Sequence, residues 1–592
     1  MKRNTSHAIR KSSLYDYSGS IERQETIAFL LDFAKKSKTG IEEYWKKMKR
    51  YYDGDHDIRG TYSRFAAEQS LPWLPAQSTD GYVHVESQIN ATVPDFEFSP
   101  REKNDTDKAK QREKIVKYVC DNANLAYKNA RNERLLGIYG SSVWKVCWDS
   151  DATYGENNGD VAVLCPNPDE IYTDPTSTDV DGCEYIGYVY RMHKQKAMRI
   201  FAEDFRSTNS CFEDYLDDNG FFSSHSNVTS DTYDAENDTV SITEWWFRQP
   251  RNGRMNIKRA GREYVYEWKA GDIALSVLIN GKEVRYIPKY WKRTGFTEYP
   301  FVISSRIPDG KSIWGKSELS QIIPLIDAKD RELGYAQLNG AFNSNDIILL
   351  EENALCDGEN LDNSPGAVWK LRPGMIGKVA RLGNMSPSQT SLYSGAMYWQ
   401  NLIEITTGNF EINQGKEPSN VTTATGIALL NERSESRKNQ KSIDRNEGFK
   451  RLFSLIDKTA LENYSDGRVV RLGLCDDDEF VYNFGGFIKR TRQHSYIPSV
   501  DITIHTGAGI TNSRAFTVSA LTSLIGMNIN ADNYKLVKAY VQNLGIPERE
   551  EICRTLDEKF EEKEDAEIKA EEILKAIGML SGKEDENDRE SE

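Results

Sequence analysis

The chain has 592 residues and a net charge of −15 at pH 7, with 38% hydrophobic and 28% charged residues. This composition fits a globular protein with ample core and excludes a disordered chain. It also argues against tight phosphate-driven nucleic-acid binding, which needs clustered Lys and Arg.

In chain order, residues 1–25 read as a loose polar arm. The start, MKRNTSHAIRKSS, is basic but lacks the apolar stretch of a signal peptide. No apolar run is long enough to span a bilayer, so the protein is expected in a cytosol. The N-x-[ST] triplets at Asn227 and Asn237 then carry no meaning. A helical pattern runs from Thr26 to about Tyr52, and Tyr82-Val-His-Val leads into an apolar segment from Ile89. The spacing of Ile115, Val116, Val119 and Leu125 predicts one charged helix over Asp105–Leu136.

The composition then shifts to strands: Ser142–Trp148, Asp160–Leu164 and Glu184–Tyr190, followed by a short helix, Gln195–Glu203. Residues 206–238 read as a long polar loop. Strands resume at Val240–Phe247, and Asn280-Gly281 between apolar runs predicts a hairpin within Ile273–Ile287. A helix is expected over Leu325–Phe342. A β insert follows, with Ile347–Leu350, Pro365–Leu371 and Pro373–Val379 as its strands. Next come a helix over Gln389–Thr406, a polar loop with Gly408, Gly415 and Pro418, and a long helix over Thr423–Tyr464. Residues 431–446 of that helix are almost wholly polar, and Gly448 is a candidate bend. Strands at Arg468–Leu474, Glu479–Phe484 and Val500–His505 precede a helical C-terminus from Ser513 and an acidic tail.

Several motifs compete for a chemical reading. Gly310, Gly315, Lys316 and Ser317 satisfy G-x-x-x-x-G-K-[ST], the phosphate-cradling loop of nucleotide hydrolases. The context disagrees. Ile313 and Trp314 are bulky for a phosphate turn, Pro324 should break the helix behind it, and no βαβ alternation follows. Gly507-Ala-Gly509 lacks the third glycine of a dinucleotide fingerprint, with Asn512 in its place. Asp53, Asp55 and Asp57 alternate like calcium ligands, but Ile58 stands where the turn needs Gly. Asp179-Val-Asp-Gly182 has Ser177 at the first ligand position and Tyr188 at the last. Both, like Asp476–Glu479, read as solvated turns. The eight cysteines (120, 147, 165, 183, 211, 356, 475 and 553) form no C-x-x-C pair and read as inert small apolar groups. No catalytic residue, metal site or cofactor is expected.

The order of elements and several segments resemble the portal proteins of tailed bacteriophages. They are Tyr299-Pro-Phe-Val, Ile307-Pro-Asp-Gly310, Trp314-Gly-Lys-Ser-Glu318, Pro365-Gly-Ala-Val-Trp369 and Ile405-Thr-Thr-Gly408, with Gly415 and Thr423-Ala-Thr-Gly426 behind them. Upstream, Leu135–Val146 and Pro168–Pro175 resemble the family's wing. The resemblance runs from about residue 80 to 465. It implies an α+β portal fold: an arm (1–25), a mixed wing (26–310), a first stem helix (311–345), a β clip (346–385), a second stem helix (386–407), a tunnel loop (408–420), a long wing helix with strands (421–508), a helical crown (509–580) and a disordered acidic tail (581–592). Ser317 and Glu318 would then cap the first stem helix.

The family's role would be a ring-shaped DNA channel at one capsid vertex, expected as a dodecamer and not an enzyme. It is assembled in the host cytoplasm and kept in the virion, and serves packaging, retention and ejection of the genome. Implied partners are double-stranded DNA without sequence preference, the terminase large subunit, major capsid and scaffolding proteins, and a head-completion or adaptor protein, with no membrane. Asn413, Gln414, Gly415, Lys416 and Glu417 would form the tunnel loop. Ile347, Leu349, Trp369, Lys370 and Met375 would serve the clip. The competing readings are a P-loop or metal-dependent nucleic-acid enzyme and another minor head or adaptor protein.

Overall fold

The computed structural model describes residues 17, 19–55, 79–102, 105–154, 157–208, 210–215, 239–259, 262–344, 348–351, 354–356, 370–375, 379–381, 389–407, 424–471, 479–490 and 495–505. The chain divides into two compact units, Met1–Val93 with Phe98–Ile502, and Pro94–Glu97 with Thr503–Glu592. Of the second, residues 94–97 and 503–505 are described; they belong to the strands β1 (Asp95–Pro100) and β18 (Val500–His505), which pair with each other.

The first unit is mixed α+β, as expected. Its centre is a five-stranded antiparallel sheet in the order β10-β9-β6-β5-β4, formed by Lys282–Ile287, Ile273–Ile279, Thr239–Arg248, Tyr185–His193 and Ile171–Thr173. Strand side chains alternate between faces, so the neighbours Trp245 and Trp246 enter different cores. Trp245 and Phe247 pack with Ile27, Leu30, Leu31 and Ala34 of helix α1 (Ser20–Asp53). Trp246 packs with Leu275, Val277, Trp291 and Phe301 on the other face. With both faces covered, every residue of β9, IALSVLI, is buried. A two-sided sheet tolerates such an unbroken apolar run.

The second sheet, β11-β2-β3, joins Phe301–Ser305, Ser141–Tyr154 and Asn157–Leu164, also antiparallel. The expected hairpin is present: Asn280 and Gly281 have φ of 47° and 86°, the left-handed pair that a two-residue turn between β9 and β10 demands. Further strand pairs stand apart from these sheets, among them β7–β8 (Gly253–Arg259 and Arg262–Trp268) and β14–β15 (Val469–Arg471 and Glu479–Val481).

Helix α2 covers Asp80–Ser87. The single helix expected over 105–136 is two, α3 (Thr106–Asn122) and α4 (Leu125–Tyr139). Asn124 between them sits at φ 49°, a conformation Asn tolerates better than most residues and one that ends the α3 ladder. The short helix at 195–203 is likewise two, α5 (Lys194–Ile200) and α6 (Ala202–Thr208), and Phe212–Tyr215 form a 3-10 turn with Phe212 and Tyr215 buried, so the first residues of the expected polar loop are structured. Residues 216–238 lie outside the described part.

Helix α7 spans Leu319–Ser344 and α8 spans Gln389–Thr407. Pro324 lies inside α7, in its second turn, and does not break it. Helix α9 runs from Ala424 to Asn463 without interruption. At Gly448, the candidate bend, the helix stays continuous and lies close against β11. A Cβ there would sit 2.7 Å from Ser304 Oγ of β11. The C-terminal half of α9 buries Phe449, Leu452, Phe453, Ile456 and Leu461. It is fastened by a buried Arg112–Asp457 pair from α3 and by Tyr464 Oη, which donates to Asp160 at 2.7 Å. The expectation of buried cysteines holds for Cys120 and Cys183, while Cys147, Cys165 and Cys356 are half-buried and Cys211 is exposed; burial pushes the thiols of Cys165 and Cys183 up to about 12. Cys475 and Cys553 lie outside the described residues.

Candidate functional site

The segment Gly310–Ser317 connects β11 to α7, and its backbone donors decide what it can bind. A phosphate loop needs free N–H groups converging on an anion. Here they point into the protein. Trp314 N–H donates to Ser312 Oγ (3.2 Å), Gly315 N–H to Ser141 Oγ (2.8 Å), Lys316 N–H to the Ile307 carbonyl (2.8 Å) and Ser317 N–H to Tyr44 Oη (2.9 Å). Lys316 Nζ pairs with Asp309 at 2.6 Å on the surface. The Ser317 hydroxyl, which would bind magnesium in a nucleotide site, is fully buried. It donates to the Gly137 carbonyl (2.6 Å) and accepts from Leu319 N–H (3.1 Å). Ser317 thus caps the start of α7, as the sequence suggests.

The bulky residues of this loop explain its path. Trp314 packs edge-on to Trp45 of α1, with ring centres 5.2 Å apart. Between them lies Lys38, whose Nζ donates to the carbonyls of Pro168, Asp169 and Ile171 at 2.8, 2.9 and 2.6 Å. The same ammonium stands 5.1 Å from the ring centres of Trp45 and Trp314 and 4.5 Å from that of Tyr172. Burial lowers its pKa to about 8 against the pull of Glu42, Asp169 and Glu170. Gly140, at φ +77°, lets the α4–β2 turn touch the loop: a Cβ there would be 2.2 Å from the Lys316 carbonyl carbon. The loop is a wedge locked between α1, α4 and β2.

Just beyond it, Glu318 pairs with Arg306 (3.0 Å), whose other nitrogen donates to Gln88 Oε1 at 2.9 Å. His84 stands 3.4 Å from Glu318. With Val85, Glu133 and Gly137 these groups line a small pocket. Glu133 pairs with Arg445 of α9 at 2.7 Å. One polar junction therefore joins α2, α4 and α9 to the residues that follow β11 and precede α7.

Helices α7 and α8 run antiparallel. Ile403 packs with Ile322, Ile323 and Ile326, Lys329 Nζ donates to Gln400 Oε1 (2.6 Å), and Trp399 Nε1 donates to Glu332 Oε1 (3.0 Å). The outer face of α8 is different. Tyr393, Met397, Tyr398 and Ile405 are 48%, 69%, 59% and 54% exposed. The other exposed residues of that helix, Ser391, Ser394, Asn401 and Thr406, carry no formal charge. Tyr335 of α7 is also 47% exposed.

The insert between these helices is described in part. Ile348–Leu350 pairs antiparallel with Val379–Arg381, Leu349 facing Ala380 in register, and closes the insert at its base. Pro373–Gly374, expected within a strand, forms a turn with Gly374 at φ +85°, closed by Met375 N–H donating to the Arg372 carbonyl at 3.1 Å. Lys370 is exposed, its carbonyl accepting from Cys356 N–H, and Met375 is half-buried. Ile347 and Trp369 lie outside the described residues, as do Asn413, Gln414, Gly415, Lys416 and Glu417.

The calcium-like turns are also accounted for where described. Asp174 Oδ1 accepts from Thr176 N–H and its hydroxyl, and Arg248 donates to the Asp181 and Cys183 carbonyls at 2.8 and 3.3 Å. A guanidinium takes carbonyls that a cation would need, so the second turn is clasped by Arg248 and not merely solvated. Asp53 pairs with Lys49 in the last turn of α1. Among the described residues no group of three or more His, Cys, Asp or Glu is arranged to hold a metal, and no helix is long and apolar enough to cross a membrane. The polar junction and the Lys38 cage escaped sequence reasoning because their members come from segments far apart in the chain.

Against models of protein families, residues 82–294 match the phage P22-like portal protein family. The match runs from within α2 to just beyond β10, takes in the whole five-stranded sheet and β2–β3 of the second sheet, and stops before β11, the wedge loop, α7 and the insert. A search of curated proteins found no match to the chain.

Proposed function

Over residues 82–294 the chain belongs to the phage P22-like portal family, and on that premise we propose that it is the subunit of a ring at the portal vertex of a tailed-phage capsid. In this reading the α+β body of residues 26–310 is the wing, α7 and α8 are the stem, and the insert over 346–385 is the clip. Residues 408–420 are the tunnel loop and 509–580 the crown. Double-stranded DNA passes through the central channel without sequence preference. The clip seats the terminase large subunit, and later the head-completion or adaptor protein, through Leu349, Lys370 and Met375 with Ile347 and Trp369. The wing meets capsid and scaffolding proteins.

Beside the family match, the observation that carries this reading is the α7–α8 pair. One face of α8 is packed and its opposite face exposes four large apolar side chains with no charge among its exposed residues. A helix face of that kind asks for cover by protein, and in a ring each copy covers its neighbour. The wedge loop supports a structural role for the P-loop pattern, since its amides are already used. ATP chemistry then belongs to the docked terminase. Negative-stain imaging of the purified protein tests the reading: hollow rings with a stalk are expected, and monodisperse monomers at high concentration would overturn it.

A further inference from the structure

Within an acidic chain, residues 251–262 hold five cations, Arg251, Arg254, Lys258, Arg259 and Arg262, and no carboxylate. All but Arg251 belong to the hairpin β7–β8, whose register sets Arg259 directly opposite Arg262. Like charges so placed destabilise a strand pair. Among the described residues the hairpin is a two-stranded sheet with no third strand at either edge, and such a ribbon is marginally stable alone.

Its body is not that of a merely solvated loop. Met255 stands opposite Tyr266 and Gly253 opposite Trp268 in the ladder, and each is half-buried. The Trp268 ring lies across Gly253, where a Cβ would be 2.3 Å from it. The ion pair Arg254–Glu267, at 3.4 Å, has both side chains about two-thirds exposed (67% and 69%), so it adds little. Arg, Met, Tyr and Trp together are the side chains enriched where proteins bind proteins.

We propose that the hairpin Gly253–Trp268 is an arm that docks on an acidic surface of a second copy of this chain. The occupant follows from charge. Each copy carries −15 overall while the hairpin is net positive, so another copy offers the complementary field, and opposite charges guide such docking. Duplex DNA would satisfy the cations but has no use for the Met255–Tyr266–Trp268 face. The proposal rests on the ring reading above and adds a charged contact remote in sequence from α8.

The test places the photo-reactive residue p-benzoylphenylalanine at an exposed position of β8, Val265→p-benzoylphenylalanine, in the full chain. Illumination should give a covalent dimer of this chain on a denaturing gel. The double variant Arg259→Glu with Arg262→Glu should require roughly tenfold more protein to assemble, and the deficit should shrink as salt screens the contact. Absence of the photo-dimer, or adducts only to added duplex DNA, would overturn the proposal. So would unchanged assembly of the double variant. Failure of the ring reading shows separately, as absence of rings in the wild-type protein by imaging.

Discussion

Lys316 and Ser317 are adjacent, match the same motif, and have opposite worth. Lys316 is an exposed partner of Asp309, and surface pairs of that kind contribute little. Lys316→Ala should leave the melting temperature nearly unchanged and nucleotide binding undetectable. ATP affinity in the wild-type protein that vanishes in this variant would refute the structural reading of the loop. Ser317→Ala leaves the Gly137 carbonyl and the Leu319 N–H without their shared hydroxyl, at a cost of about 1–3 kcal/mol for buried groups. A thermal melt should therefore rank Ser317→Ala clearly below Lys316→Ala. Gly140→Ala combines a left-handed backbone with a 2.2 Å overlap and should be worse than either. The sequence displays the motif in full. It does not display that Ser141, Ile307 and Tyr44 take the loop's amides, because those partners come from three other segments.

Elements were legible where local chemistry decides them and obscure where packing does. Asn280-Gly281 announces its turn in two letters, and α8 and α9 follow the sequence pattern to within one residue, whereas α1 begins at Ser20 and takes in part of the expected arm. The break at Asn124 is hidden because the apolar pattern of α3 continues into α4. Gly448 reads as a bend until Ser304 is found against it. The exposed side of α8 is the element most exposed to experiment. Met397→Glu with Tyr398→Glu touches no buried group, so circular dichroism should be unchanged, while sedimentation should show monomers in place of rings. Rings of normal size from this variant would remove α8 from the subunit contacts. The insert makes a second case. Its short strand pair has too few residues for a core of its own, so neighbouring copies are expected to complete it. Deletion of Asp346–Met385 should leave the wing folded and abolish terminase docking, measured by pull-down with the motor subunit. A deletion variant that still packages DNA would sink the clip assignment.

At the scale of the whole molecule the acidic charge becomes a working property. A channel that neutralised many phosphates would hold DNA by counterion release and resist its movement. In the proposed channel a chain of net charge −15 would avoid that and would leave contact with DNA to a few loop residues. In the tunnel-loop proposal, Lys416 is the one basic residue among Asn413–Glu417, and a ring would repeat it once per subunit. Lys416→Glu should leave ring assembly intact, since the proposal gives Lys416 no subunit contact, and should change the length of DNA packaged or its retention in filled heads. Packaged length can be read by pulsed-field electrophoresis, and placement by cross-linking from position 416 to DNA. If position 416 cross-links only to capsid protein, or if Lys416→Glu blocks ring formation while sparing DNA handling, the loop is a subunit contact and the channel assignment fails. A weak effect on DNA with intact rings is what translocation requires, because a strong grip on phosphate and free passage of the duplex exclude each other.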